Sequence, residues 1–485
     1  MLPVVFLYLG LVLAIGLWSH RMARSTGEDF FVAGRTIGPF VLLMTLFGTH
    51  MTAFALLGAS GESYRIGIGV FGLMASSSAL IAPTLFFFVG MRVWRLGKQY
   101  GYVTQVELLS ERFQSPLLGL CLFPVLAVLL VPYLLIGVMG GGITLSEIGG
   151  DAIPTWVGSV LITAVVLVYV CFGGLRGTAW VNTFQTCFFM VIGAVTVWLI
   201  VGRLGGLETA MARVAESHPE MLVRGDNVRP LQLVTYLLIP ASVGMFPHIF
   251  QHWLSARRAA TFRAPVILYP ACILIVWLPS VLLGVFGRID FPDLVGPQAN
   301  SVLVRMIALY SPGVLGGLLA AGVFAAIMSS LDSQSLALGT MFTRDVMPRL
   351  LGRKLADGEQ VLAGRLFLAS VLLLTLGLSF VVNRSIFGLA VWCFTGYTAL
   401  LPILIGALFW RRATAAGALA SLATAFASWL YFFRAGWGKP DYSVLGSGAM
   451  PVAVIVPAAA LALIVVSLLT RPPDTAVVER FVGDD

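Results

Sequence analysis

Between Ala321 and Val346 the chain reads AGVFAAIMSSLDSQSLALGTMFTRDV, which puts Ser329, Ser330, Asp332, Ser333, Gln334 and Ser335 inside an otherwise apolar run. In lipid each of these groups needs a partner, so the run must face protein, water or an ion. Ala326, Ser329, Ser330 and Ser333 stand at i, i+3, i+4 and i+7, one face of a helix. That face offers two adjacent hydroxyl oxygens beside small side chains. Neutral oxygens at this spacing suit a hard cation of low charge. The same face would also serve serine-mediated helix packing.

Two other stretches carry groups out of place in an apolar helix. Phe47–Gly61 reads FGTHMTAFALLGASG, with Gly48, Thr49, His50 and Thr52 at mid-membrane depth. Such a cluster is a point where a helix can unwind, and unwound backbone in a membrane is tolerated where it lines a cavity and turns its carbonyls on an ion. A straight helix whose hydroxyls bond back to carbonyls one turn earlier is the alternative. Ile239–His252, IPASVGMFPHIFQH, repeats the oddity with Pro240, Gly244 and Pro247. Two interrupted apolar segments in corresponding positions point to an inverted repeat with its site at the membrane midplane.

The elements that hold these segments follow from composition. The 485 residues are 59% hydrophobic and 11% charged, against about 25% charged in a soluble domain. We expect an all-α membrane protein with about 13 transmembrane helices, each apolar run reaching the ~20 residues that cross a bilayer core. The runs fall near 2–18, 38–62, 66–91, 116–143, 154–173, 178–202, 231–250, 264–287, 312–342, 361–382, 385–410, 413–433 and 450–470. Arg21 and Arg24 follow the first run and no positive charge precedes it, the reverse of a signal-peptide flank, so this span is expected to be retained. Assigning the loops alternately leaves about two thirds of the 30 Lys and Arg on one side, which predicts the N-terminus outside and the C-terminus cytoplasmic in a bacterial inner, or plasma, membrane. Read this way, the net charge of +8 is a topology signal and not a nucleic-acid footprint.

The division expected is one polytopic transporter domain over 1–485. It has an extra first helix and loop (1–37), a first repeat (38–203), a second repeat (231–410), and two accessory helices with a short tail (411–485). Cys121, Cys171, Cys187, Cys272 and Cys393 all sit in apolar runs without a CxxC or Cys/His grouping, so no disulfide framework or zinc site is indicated. No nucleotide loop, hydrolase elbow or metal cluster is legible, which argues against an enzyme or a primary pump. A small-molecule solute and membrane lipid are the partners expected, with no soluble partner domain.

Six stretches in register resemble the sodium:solute symporter family: Asp29–Gly38, the Phe47–Gly67 segment, Gly101–Phe113, Phe172–Thr186, Ala325–Ser335 and Pro402–Ser421. The resemblance implies a LeuT-like 5+5 inverted-repeat core in spans 2–11, with one extra helix before it and two after. It implies sodium-coupled uptake of a small organic solute by alternating access, with sodium as the co-transported ion. Matched residue by residue, the sodium ligands fall on Gly48 and Met51 in the broken helix and on Ala326, Ser329 and Ser330 in the later one, the face already singled out. The chain also departs from the family. Trp180-Val181-Asn182 stands where an aspartate associated with a second sodium site or cation access is usual, so a second ion is in doubt. Gly137 replaces a glutamine and would enlarge or reshape the pocket. His50 occupies a position that is often Asp or Asn.

His50, Thr52, Phe54, Tyr133, Trp392, Thr395 and Tyr397 are the candidate solute contacts, with Phe246 beside them. Half-helix N-termini pointing into such a cavity would suit a small carboxylate. Sugar is disfavoured, because span 3 has no acid and span 8 no lysine to bind hydroxyls. Proton coupling through His50, a polyol solute, a membrane sensory module and a channel are the alternatives. Glu62 and Arg65 close the outer end of span 2 as a local ion pair or a gate.

Overall fold

The computed structural model describes residues 1–19, 35–225, 228–311, 313–353, 355–439 and 441–483. Arg21, Arg24 and most of the Asp29–Gly38 stretch lie outside the described residues. Helices make up nearly all of the rest. In chain order they are α1 (Leu2–Ser19), α2 (Pro39–His50), α3 (Phe54–Ile66), α4 (Gly69–Tyr100), α5 (Gln105–Arg112), α6 (Pro116–Gly149), α7 (Thr155–Arg203) and α8 (Leu207–Ser217). There follow α9 (Pro230–Gly244), α10 (Pro247–Ser255), α11 (Ala259–Asp290), α12 (Val302–Tyr310), α13 (Gly313–Leu351), α14 (Gly358–Ser379), α15 (Ile386–Phe409), α16 (Ala415–Gly436), α17 (Val452–Leu469) and α18 (Thr475–Val482).

Every expected run falls on helix, the second and seventh each divided between two helices and the fifth and sixth sharing α7. Among the described residues nine helices are long and apolar enough to cross a membrane, or up to eleven if each bent pair is one span. The remaining two runs, Leu2–Gly16 and Thr155–Cys171, are apolar but shorter. The second belongs to α7, which is helical for 49 residues. Straight, α7 would be about 74 Å long, over twice a ~30 Å hydrocarbon core. Tyr8 stacks on Phe188 while Gly16 lies against Tyr169, so a short length of α1 spans more than twice as many residues of α7.

Both expected breaks are present. α2 and α3 meet at 58°, and α9 and α10 at 52°. At the first, Met51 leaves helical geometry (φ −88, ψ 94) and Thr52 Oγ1 accepts from the Phe54 N–H at 3.0 Å, restarting the helix with a side-chain cap. At the second, Pro247 supplies no N–H and forces Phe246 into an extended conformation (φ −64, ψ 123). The two breaks thus have different local causes, a capping hydroxyl and a proline.

α13 runs through the middle of the molecule, with every residue from Leu319 to Met341 buried. α13 packs against α7, α6, α1, α14 and α2, so its serines face protein and not lipid.

Candidate ion and solute sites

Ser329 Oγ lies 3.0 Å from the carbonyl of Gly48 and 3.0 Å from that of Ala326. It bridges the end of α2 to α13. Ser330 Oγ lies 2.9 Å from the Ile327 carbonyl and 3.5 Å from that of Ala326. Met51, the first residue past α2, sits at the same break. On its other side Gly48 packs closely on α7. A Cβ there would come within 1.9 Å of Thr186 Oγ1, and Thr186 is held by its own hydrogen bond to the Met44 carbonyl at 3.0 Å. Gly48, Ala326, Ser329 and Ser330 thus gather neutral, hard oxygens from two helices, a donor set that fits sodium.

One turn further along α13 lies a group whose role the sequence left open. Asp332 is fully buried. Its carboxylate accepts from Tyr169 OH at 3.1 Å and from the backbone and hydroxyl of Ser333. Asn182 donates its amide to Ser333 Oγ at 2.7 Å, and its Oδ1 is buried without a partner. The signal for Asp332 was available, since an acid at mid-membrane is costly unless compensated. It stands three residues from Ser329, so it puts a carboxyl group beside an otherwise neutral oxygen set. Gly137, expected to enlarge or reshape the pocket, does not enlarge it: a Cβ there would meet Leu331 at 2.7 Å. Its absence lets α6 and α13 close together.

His50, Thr52, Phe54, Tyr133 and Tyr397 converge at the other side of the α2–α3 break. His50 Nδ1 meets Tyr269 OH, and Tyr133 OH donates to the His50 carbonyl at 2.9 Å. Phe246 stacks on Tyr133 with ring centres 5.4 Å apart and lies 4.5 Å from Tyr397. Phe394 touches His50, Phe54, Tyr133 and Phe246. The rings pack on one another, so a solute held here would have to part them. Tyr269, Phe394 and His248 belong to this cluster, and sequence reasoning missed them. Phe394 is one helical turn from Tyr397, a spacing that could have found it. Tyr269 had no signal, since only the packing of α11 brings it to His50. His248 is fully buried between Phe246 and Tyr133, with neither ring nitrogen hydrogen-bonded.

Trp392 and Thr395 do not join the cluster. They line a separate cavity of about 270 Å³ at the far end of α3, with Glu62, Arg65, Tyr236, Asp441 and Tyr442. On α15, Trp392 and Thr395 are three residues apart and share a face, while Phe394 and Tyr397 share another. One helix therefore serves both places. Glu62 and Arg65 are more than a local pair, because Arg65 also binds Asp441 from the connection between α16 and α17.

Comparison with known proteins agrees with this architecture. The profile of the sodium:solute symporter family matches residues 30–424. The high-affinity proline transporter PutP of Bacillus subtilis is 25% identical, covering 97% of this chain and 98% of that protein. The sodium/pantothenate symporter of Escherichia coli is 26% identical over 87% of this chain and 88% of its own length. Among solved structures, a Na⁺-coupled sialic acid symporter in a substrate-bound outward-open state superposes with a TM-score of 0.80 at 16% identity, covering 97% and 98% of the two chains. At that identity the likeness speaks for the fold, which is LeuT-like. With a family match over most of its length and helices broken where such a carrier needs them, the chain belongs to the sodium:solute symporter family: it couples solute uptake to sodium and is not an enzyme.

Proposed function

We propose that the protein carries a small carboxylate together with sodium, and that the ion binds between α2 and α13. The observation that carries the ion site is the Ser329 hydroxyl set between the Gly48 and Ala326 carbonyls. An ion held there bonds both helices at once, so it stabilises the arrangement in which they touch. It therefore favours one state of the carrier over another, which is what coupling requires. Gly48, Met51, Ala326, Ser329 and Ser330 are its ligands in this reading, and Asp332 supplies the countercharge.

The solute sits beside the break, among His50, Thr52, Phe54, Tyr133 and Tyr397. The N-termini of α3 and α10 both begin there, and the positive ends of their dipoles favour a negative charge. His50 and His248 add ring nitrogens that can donate. Proline, pantothenate and sialic acid, named for the relatives above, all carry a carboxylate. In this reading the chain crosses the membrane 13 times, with the end bearing Glu62 and Asp441 outside and the C-terminus cytoplasmic.

The test is uptake into proteoliposomes of a labelled panel of proline, pantothenate, lactate, glucose and a polyol. An inward sodium gradient should drive accumulation of at least one carboxylate and not of glucose. Glucose accumulation would replace the solute class. Uptake driven by a proton gradient and indifferent to sodium would remove the ion site and move the coupling to His50.

A further inference from the structure

The cavity at the far end of α3 holds an arginine whose partners differ in kind. Arg65 Nη2 lies 2.6 Å from Glu62 Oε1, and Nε lies 3.2 Å from Oε2. Glu62 is one turn back on the same helix, and only 9% of its side chain is exposed. On its other edge Arg65 meets Asp441 through two parallel bonds, Nη1 to Oδ2 at 3.0 Å and Nη2 to Oδ1 at 2.7 Å. Asp441 is 65% exposed and rides on the connection between α16 and α17. Glu62 is thus built into the site, while Asp441 occupies it from outside.

Paired bonds of this kind are the geometry in which a guanidinium receives any carboxylate. An exposed ion pair is weakly held, so a carboxylate arriving from solution can take the place of Asp441. The surroundings favour such a guest. Two open spaces, of about 270 Å³ and about 260 Å³, adjoin Arg65. Arg229 and Lys439 line the first and Arg384 and Lys439 the second, so once Asp441 has left, the positive charges there outnumber Glu62. Tyr236, Trp392 and Tyr442 offer ring faces to the remainder of the molecule. Arg65 stands in the last turn of α3, whose first turn begins beside His50. The two places are about 20 Å apart along that helix.

We propose that this cavity is a binding site for a small monocarboxylate, in which the guest displaces Asp441 from Arg65 while Glu62 keeps the guanidinium in place. Naming that guest as the transported solute rests on the carboxylate reading above. Asp441 then acts as a tethered competitor, closing the cavity when no carboxylate is present.

The experiment needs neither sodium nor turnover. Ser443 lines the cavity, and Ser443→Cys in the full-length protein is labelled with an uncharged maleimide in sodium-free buffer, read at that peptide by mass spectrometry. Propionate should slow the labelling and propionamide should not. Asp441→Asn should lower the half-protecting propionate concentration roughly two- to fivefold, the competition an exposed ion pair can exert. Arg65→Gln should abolish protection. Equal protection by the amide, or an Asp441→Asn midpoint that is unchanged or higher, overturns the proposal. Because Asp441 is exposed, its substitution decides the matter even if Arg65→Gln fails to fold. Protection by propionate in a protein that accumulates no carboxylate would leave this site standing and overturn the solute class instead.

Discussion

Ser329 and Ser330 are both on the face of α13 that the proposal gives to the ion, but the structure gives them unequal positions. Ser329 touches carbonyls of two helices and Ser330 touches only its own. Ser329→Ala and Ser330→Ala each remove one ligand oxygen and keep a good helix former. A partly replaceable contact of this kind is worth about 1–3 kcal/mol, so half-saturating sodium should rise roughly 5- to 100-fold. Ser329→Ala should show the larger effect, and solute affinity should recover at saturating sodium. Ser335→Ala is the control, since that hydroxyl is buried without a partner; a matching loss there at equal protein level would mean that the face has been misread. Asp332→Asn keeps the shape and an acceptor for Tyr169 but removes the charge. At ~6 Å and an effective dielectric of ~20 a charge is worth about 3 kcal/mol, so sodium affinity should fall on the order of 100-fold. If sodium dependence is unmoved while thermal stability falls, Asp332 serves packing and not the ion.

The close approach of α2 to α7 depends on one missing methyl group. Gly48→Ala would drive a Cβ into Thr186 Oγ1, separating α2 from α7 and drawing the Gly48 carbonyl away from Ser329. Sodium-driven uptake should be lost while the protein still reaches the membrane. Thr186→Ala alone frees space at the cost of the bond to Met44, and should be mild. The double variant should regain part of the uptake, because the steric conflict is gone. No recovery in the double variant would place the defect in the conformation of residue 48 and not in its neighbour. The same scale explains α15, one helix presenting Trp392 and Thr395 to the outer cavity and Phe394 and Tyr397 to the inner cluster. From sequence Trp392, Thr395 and Tyr397 read as one set of solute contacts, since period alone does not say what each face meets.

Across the whole molecule, the expected arrangement puts the two chain ends on opposite sides of the membrane. Reporter tags before Met1 and after Asp485 should therefore report external and cytoplasmic positions, and finding both on one side would remove one of the shorter apolar runs, Leu2–Gly16 or Thr155–Cys171, from the crossings. Sodium dependence of uptake should be hyperbolic, one ion per solute, because Asn182 spends its amide on Ser333; a Hill coefficient near two would require a second ion.

Much of this was written in the linear order of residues. Apolar runs of bilayer length, the serines at i, i+3 and i+4, and the Gly/Thr/His and Pro/Gly interruptions are local patterns, and each fixes a local consequence: a span, a face, a break. Those consequences reached the fold class and both bends. What the chain order could not carry was distance between segments far apart in sequence. That Thr186 demands glycine at position 48, that Leu331 fills the space left at Gly137, that Tyr269 reaches His50, and that Asp441 reaches Arg65 are all decided by helix packing. Packing depends on volumes meeting from several helices at once, and no single stretch of sequence contains that information.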